Sequence, residues 1–408
     1  MMRARLLSPR EGVFWAVAFV LVAALIVLTQ FSSTDPDSQL YASISGRLSE
    51  EPVSHWIAPE WWDFWPETHM TGLFREHPAG VFLVPVALSR LGIPGEQAAY
   101  IAGVGAGLAS LLLIALLISR LASAADGRAA LILLQLMPVA FLFRVRANHE
   151  YPMLVALLVT IVSVEGARRS WWWIAGIAFG LTLGLLVKGV FVVLVVLAAG
   201  LWILLNPTRL RGTFWRVILA CAAGAAITAG IAVLYDAAYV RATGEAFWAA
   251  YWQRQLGPIT IATPLDNAST LAGHLGFYVT RLLWFPAPWS VALLTGAWLL
   301  WRQRPDGKQP SSWARLSPTS KRGLLFALGF AALAILLLSP SSRFAERYTF
   351  SAAYMIGAAG VVIALRTWPG LSRAVTTLDA RVPALPAIVW LLLMLLRIVV
   401  GPYLPRIA

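Results

Sequence analysis

The chain has 408 residues, 59% of them hydrophobic and only 12% charged, with a mean hydropathy of +0.73. A water-soluble domain of this length is never that apolar, so the composition excludes one and specifies a polytopic membrane protein. The net charge of +13 does not point to nucleic acid, because the basic residues fall mostly between apolar runs, where they orient a membrane protein and meet anionic lipid.

From the N-terminus, Met1 to Arg10 is basic, and the apolar run Val13 to Phe31 follows. That run is too long for a signal peptide and lacks a small-residue cleavage site, so it reads as a retained first helix. Next comes Thr34-Asp35-Pro36-Asp37-Ser38-Gln39-Leu40-Tyr41, with Leu40, Tyr41, Ile44 and Leu48 at helical spacing. A short interfacial helix is expected to begin near Asp37, and the plain reading of Asp37 is an N-cap. The polar stretch continues to about Gly80 and is rich in tryptophan (Trp56, Trp61, Trp62, Trp65), a residue that favours the headgroup level.

Apolar runs then fall at 80–91, which is short, and at 98–119, 129–143, 151–166, 171–187, 189–205, 215–235, 275–301, 322–339, 348–365 and 383–400. With the first run, and without the short one, about eleven spanning helices result, an all-α polytopic integral membrane protein. With the N-terminus cytoplasmic, Arg120 and Arg128, Arg168 and Arg169, Arg209 to Arg216, Arg302 to Arg322 and Arg366 to Arg381 all fall in inside loops. This parity requires a tight hairpin at Lys188. The outside loops are then 32–97, 144–150, the turn at 188, 236–274 and 340–347. Cys221, the only cysteine, lies inside an apolar run, which rules out an intramolecular disulfide and a thiol metal site.

The outside loops hold nearly all the unusual polar residues. Glu76-His77-Pro78 either breaks and solvates a helix end or contributes an acid–base or ligand group. Arg144, Arg146, His149 and Glu150 are too polar to lie in hydrocarbon and must face water or a polar cavity. Gly176, Gly180 and Gly184 recur every four residues, the spacing that lets helices approach closely, and Lys188 follows with apolar sequence on both sides. Lys188 either snorkels to the headgroups or marks a functional site. Arg343 and Arg347 can pair with Glu346 or neutralise a phosphate.

In order and on one face, these motifs resemble those of the GT-C glycosyltransferases that use lipid-linked sugars, the dolichyl-phosphate-mannose protein mannosyltransferase-like type with its lipid A aminoarabinose transferase relatives. Pro36-Asp37-Ser38-Gln39-Leu40-Tyr41 resembles the family's first external loop, where an Asp precedes an aromatic by four residues; Ser38 replaces the usual Glu. His77-Pro78 resembles the motif opening the following helix, with Ala79 in place of a second proline. Glu150-Tyr151-Pro152-Met153 resembles the turn that carries an acidic residue, usually Asp. Leu186-Val187-Lys188-Gly189 resembles the glycine-rich helix whose lysine faces the donor phosphate, and Ser342 to Tyr348 the late basic loop.

The resemblance implies a single GT-C domain over 1–408, with interfacial helices in the first external loop at 32–97 and no separate C-terminal soluble domain. It implies an inverting transfer of a hexosyl or pentosyl group from a polyprenyl-phosphate sugar to an acceptor glycan, lipid or protein at the outer face of the cytoplasmic membrane. Asp37 is the expected base, preferred to Asp35 because it alone has the Tyr at the family's distance, with Glu150 as the second catalytic carboxylate, and Lys188 with Arg343 or Arg347 holds the donor phosphate. Asp35, Tyr41, His77, Arg146, His149 and Tyr348 line the substrate. No nucleotide sugar is needed, and a divalent metal stays open. The rival is a transporter or lipid flippase, which would place its charges near the bilayer midplane in repeated halves; no repeat is visible here. A structural subunit would show no clustered polar face.

Overall fold

The computed structural model describes residues 6–61, 72–206, 211–255, 268–302, 316–340 and 345–401. Helix α1 (Pro9–Leu28) begins on a capping box in which the Ser8 Oγ accepts from the Glu11 N–H and Glu11 returns to the Ser8 N–H. Its buried residues Trp15, Ala18, Val22 and Ile26 recur every three or four positions and form one face. That face packs on α17 (Leu385–Val400) through Trp15 and Trp390, whose ring centroids are 5.9 Å apart. The other face is as apolar, yet Val13 and Val20 are each 63% exposed. Water would penalise such a surface, whereas hydrocarbon solvates it.

After α1, the short helix α2 (Pro36–Glu50) packs against α3 (Gly80–Arg90) and α4 (Gly95–Leu121). Between them a two-residue ribbon, β1 (Glu60–Trp61) and β2 (Gly72–Leu73), pairs antiparallel; Trp62 and Trp65 lie outside the described residues. The run expected to span at 129–143 is broken into α5 (Ala124–Leu133), one 3-10 turn at Leu134–Leu136, and α6 (Pro138–Leu142). Pro138 has no N–H to continue the ladder, and the Arg144 guanidinium donates to the Gln135 carbonyl at 2.9 Å.

The hairpin required at Lys188 is present. Helices α7 (Glu150–Ala167), α8 (Trp173–Lys188) and α9 (Val192–Leu205) follow in order, and Trp173–Leu205 reads by length as one apolar run. Gly189 interrupts it with φ +57, a conformation glycine adopts without strain. A Cβ built on Gly184 would meet Val192 and Val195 at 3.4 Å, so the two arms fold back side by side. The small-residue stripe works as its spacing predicts. Gly176 and Gly180 lie so close to Ser163 and Thr160 of α7 that a Cβ at either would come within 2.2 Å of a hydroxyl.

Helices α10 (Arg211–Thr243) and α11 (Phe247–Gln255) lead to α12 (Ala268–Trp284) and α13 (Trp289–Arg302). The last two were expected as one span at 275–301 but meet at 91°, across the Phe285-Pro286-Ala287-Pro288 break. Then come α14 (Pro318–Leu338), a 3-10 turn at Glu346–Thr349, and α15 (Phe350–Thr367). Helix α16 (Pro369–Arg381), without a buried residue, meets α17 at 92°. Among the described residues seven runs are long and apolar enough to cross a membrane, or nine if each bent pair is one span. The sequence count of about eleven treats α8 and α9 separately and includes the broken α5–α6 run.

The glycine stripe supports a packing test. Gly180→Ala forces its new Cβ against the Ala156 carbonyl at 2.9 Å as well as the Thr160 hydroxyl, and should cost about 1–3 kcal/mol. Gly200→Ala, where nothing lies within 4 Å, should be neutral or slightly stabilising. Thermal midpoints of the detergent-purified variants check both.

Candidate active site

Helix termini build the site. Asp35, not Asp37, is the N-cap of α2: its Oδ2 accepts from the Ser38 N–H at 3.0 Å and from the Ser38 hydroxyl at 2.7 Å. The reading of Asp37 as a cap is therefore corrected. Asp37 sits one position past Pro36, in the first turn, and its half-exposed carboxylate pairs with the Arg347 guanidinium. Arg347 comes from the 3-10 turn before α15, so this ion pair ties the first loop to the last one described. Glu346 pairs instead with Arg281 of α12 at 3.4 Å, which removes the expected local pairing with Arg347. Arg343 lies outside the described residues.

Glu150 is the first residue of α7 and Lys188 the last of α8. The hairpin turns Lys188 back so that its Nζ donates to Glu150 Oε1 at 3.3 Å, with the two residues 4% and 1% exposed. Two rings cover the ammonium, Phe191 at 4.9 Å and Tyr348 at 5.3 Å. An ion pair this deep holds only because each charge has its partner.

Around this pair lie two histidines. His149 brings its Nε2 to 3.1 Å from Glu150 Oε1, without hydrogen-bond alignment, and its ring is 4.6 Å from that of His77. Tyr41 of α2 packs on both, at 5.5 Å from His149 and 6.4 Å from His77. Burial pushes both imidazoles below the ordinary histidine value, and the Lys188 ammonium acts on both in the same direction. Among the described residues His77 Nδ1, His149 Nδ1, Glu150 Oε2 and Asn148 Oδ1 are shielded from solvent with no partner, so the cluster keeps unused hydrogen-bonding capacity.

Beside the cluster runs an apolar groove of about 530 Å³ between α1, α3, α4 and α8. Phe19, Val84, Leu88 and Ala106 line its length, and Tyr41, Asn148 and Val187 line it beside the polar cluster.

Tyr41, His77, His149, Glu150, Lys188 and Tyr348 thus form one contiguous cluster, with the Asp37–Arg347 pair reaching it through the turn that carries Tyr348. Arg146 takes the other side of α2, where its Nη1 lies 3.3 Å from Asp35 Oδ1. Helix α11 was not foreseen. Its Tyr251 hydroxyl accepts from the Val190 N–H at 3.0 Å and donates to the Lys188 carbonyl at 3.3 Å, bracing the hairpin turn. Its Arg254 and Gln255 hold the Glu76 carboxylate. The aromatic sequence Phe247 to Tyr251, inside an outside loop, was the available signal. Among the described residues no three His, Cys, Asp or Glu side chains converge to hold a metal ion.

Residues 76–236 match the family model for dolichyl-phosphate-mannose-protein mannosyltransferase. His77, Glu150 and Lys188 fall within that stretch, whereas Asp37 and Arg347 do not. Two crystal structures of ArnT from Cupriavidus metallidurans, one bound to undecaprenyl phosphate and one in the apo state, share the fold. They superpose with TM-scores of 0.58 and 0.54 at 18% identity, covering 94% and 95% of this chain and 75% and 76% of theirs. No curated protein matches the sequence significantly.

The buried pair makes a specific prediction. Removing one partner leaves an uncompensated charge, so Lys188→Ala or Glu150→Gln alone should destabilise by about 3–5 kcal/mol. The double variant Lys188→Met with Glu150→Gln should recover most of that loss in thermal unfolding while staying inactive.

The histidines predict a pH dependence. The folded state keeps them neutral while the unfolded chain protonates near its ordinary value of about 6.5. Stability is therefore full above that pH and falls as pH drops through the window below it. Melting measured from pH 7.5 to 5 should show the decline, and His77→Gln should reduce it.

Proposed function

Because the chain is a polytopic membrane protein with the GT-C glycosyltransferase fold, we propose that it transfers a sugar from a polyprenyl-phosphate donor to an acceptor hydroxyl. The observation that carries this reading is the half-exposed Asp37 carboxylate set against Arg347, beside the Glu150–Lys188 cluster and an apolar groove. A base, fixed cations and a place for a long hydrocarbon tail are what such a donor and such a reaction require. ArnT binds undecaprenyl phosphate on the same fold, which supports a donor of that class.

In this mechanism the prenyl tail lies in the groove past Phe19, Val84 and Leu88, and its phosphate reaches the polar end. The phosphate displaces Asp37 from the Arg347 guanidinium, whose planar fork suits phosphate oxygens. Asp37, released, accepts the proton of the acceptor hydroxyl as that oxygen bonds to the anomeric carbon. The bond from that carbon to the phosphate oxygen breaks, and the polyprenyl phosphate leaves with both electrons. Its growing charge is stabilised by Arg347 directly and by Lys188 from behind Tyr348. Glu150 keeps Lys188 charged and in place, and its free oxygen, with His77 and His149, meets sugar hydroxyls. Tyr41 and Tyr348 frame the sugar. Attack from the face opposite the phosphate inverts the anomeric centre. The positive-inside count puts this end of the bundle on the external side, with the N-terminus in the cytoplasm. A transporter would carry its charges at mid-helix, whereas Asp37, Glu150, Lys188 and Arg347 all stand at helix ends.

Two substitutions test the base. Asp37→Asn keeps the length of the side chain and removes the base, and should lower transfer from labelled polyprenyl-phosphate sugars by roughly 10²–10⁴-fold with folding intact. Asp35→Asn keeps the α2 cap, since Asn caps about as well as Asp, and should retain most activity. Full activity in both variants would remove Asp37 from the chemistry.

A further inference from the structure

Positive charge to which the proposed mechanism gives no role lies beside the start of α2. Arg397 stands one turn before the end of α17 and is only 7% exposed. Its guanidinium makes no hydrogen bond or ion pair among the described residues, and its Nε is shielded from solvent without a partner. The Phe141 ring lies 6.0 Å away. Arg146 occupies the same neighbourhood, with its guanidinium 4.1 Å over Phe143 and its Nε likewise unpartnered. Arg397 is within electrostatic reach of both Arg146 and Asp35.

Among the described residues the charges there do not balance. Two guanidinium groups share one carboxylate, and Asp35 spends its Oδ2 on capping α2, leaving Oδ1 to Arg146. Snorkelling to water does not explain Arg397, because its side chain is enclosed. A guanidinium enclosed near the end of a membrane helix with no counter-ion costs several kcal/mol and is a functional-site hypothesis by default. The two carboxylates at the start of α2 take different partners: Asp35 meets Arg146 and Asp37 meets Arg347.

We infer that Arg146 and Arg397 hold a phosphate group beside the start of α2. A phosphate presents enough oxygens to accept from two planar forks at once, and the positive end of α2 adds to the field. The group is either the headgroup phosphate of an anionic phospholipid in the adjoining leaflet or a free phosphate.

Thermal unfolding of the full chain, purified in detergent and stripped of lipid, separates these cases. Three probes are titrated: phosphatidylglycerol, a diacylglycerol with the same chains, and inorganic phosphate. Phosphatidylglycerol should raise the wild-type midpoint in a concentration-dependent way, and diacylglycerol should not. A rise with inorganic phosphate and none with phosphatidylglycerol assigns the site to free phosphate. Arg397→Met removes the charge at similar volume, so without any anion it should melt no lower than wild type. Its response to the effective probe should need about tenfold more ligand or vanish, and Arg146→Gln should weaken it too. The inference is overturned by an undiminished response in Arg397→Met, by no response of the wild type to either phosphate probe, or by an Arg397→Met protein that melts well below wild type before any probe is added.

Discussion

The Lys188–Glu150 ion pair is the interaction on which the rest of this structure depends. A charge at such depth is tolerated only when an opposite charge and further hydrogen bonds meet it. The pair exists because α8 ends, Gly189 turns the chain back, and α7 begins at the same level. The glycine stripe on α8 lets the backbones of α7 and α8 come close enough for the two termini to meet. Tyr251 then braces the turn from outside, through the Val190 N–H and the Lys188 carbonyl. The packing of the bundle and the electrostatics of the site are thus one arrangement.

Helix ends solve a second problem. Polar groups in a bilayer must be satisfied within the protein, and mid-helix positions offer no backbone capacity to do so. The described charged residues of the cluster sit where a helix starts, stops or yields to a 3-10 turn, so loops from distant parts of the chain supply their partners. Arg347 reaches Asp37, Arg254 reaches Glu76, and Arg281 reaches Glu346. Each pairing joins segments of the chain far apart in sequence, the first of them near its two ends. The loops between the spans are therefore tied into a cap by charge, where a soluble protein would use an apolar core.

Local pattern made part of this legible in the sequence. The small-residue stripe, the lysine after it, the hairpin and the acidic start of α7 are signals within a few residues, and their consequences are local contacts. The near-continuous helical architecture followed from apolar run length. What the sequence did not yield is partner choice. Ser38 sits three residues after Asp35 and takes it as a cap, which makes Asp35 the structural carboxylate and leaves Asp37 uncommitted to the helix; the sequence had offered only Asp37 for the cap. The partners of Glu346 and Glu76 come from α12 and α11, and no spacing rule links them. Run length also misjudged 129–143 and 275–301, because Pro138 and the Pro286–Pro288 break interrupt apolar sequence without lowering its hydropathy.

The division between Asp35 and Asp37 shows how one short loop serves two purposes. A cap must be held by its own helix, and a carboxylate accepting from Ser38 at both N–H and hydroxyl is held well. A proton acceptor must do the reverse: stay exposed enough to meet a substrate and be paired by a group that can exchange partners. Arg347 satisfies that condition, because its own side chain is partly exposed and a phosphate competes well for a guanidinium. Lys188 does not, because its ammonium is enclosed by Glu150, Phe191 and Tyr348. A fixed cation that never leaves its partner supplies a steady field, and an exchangeable one supplies a binding contact. In the proposed mechanism the arriving donor has to open only the Asp37–Arg347 pair, and that opening exposes the carboxylate proposed as the base.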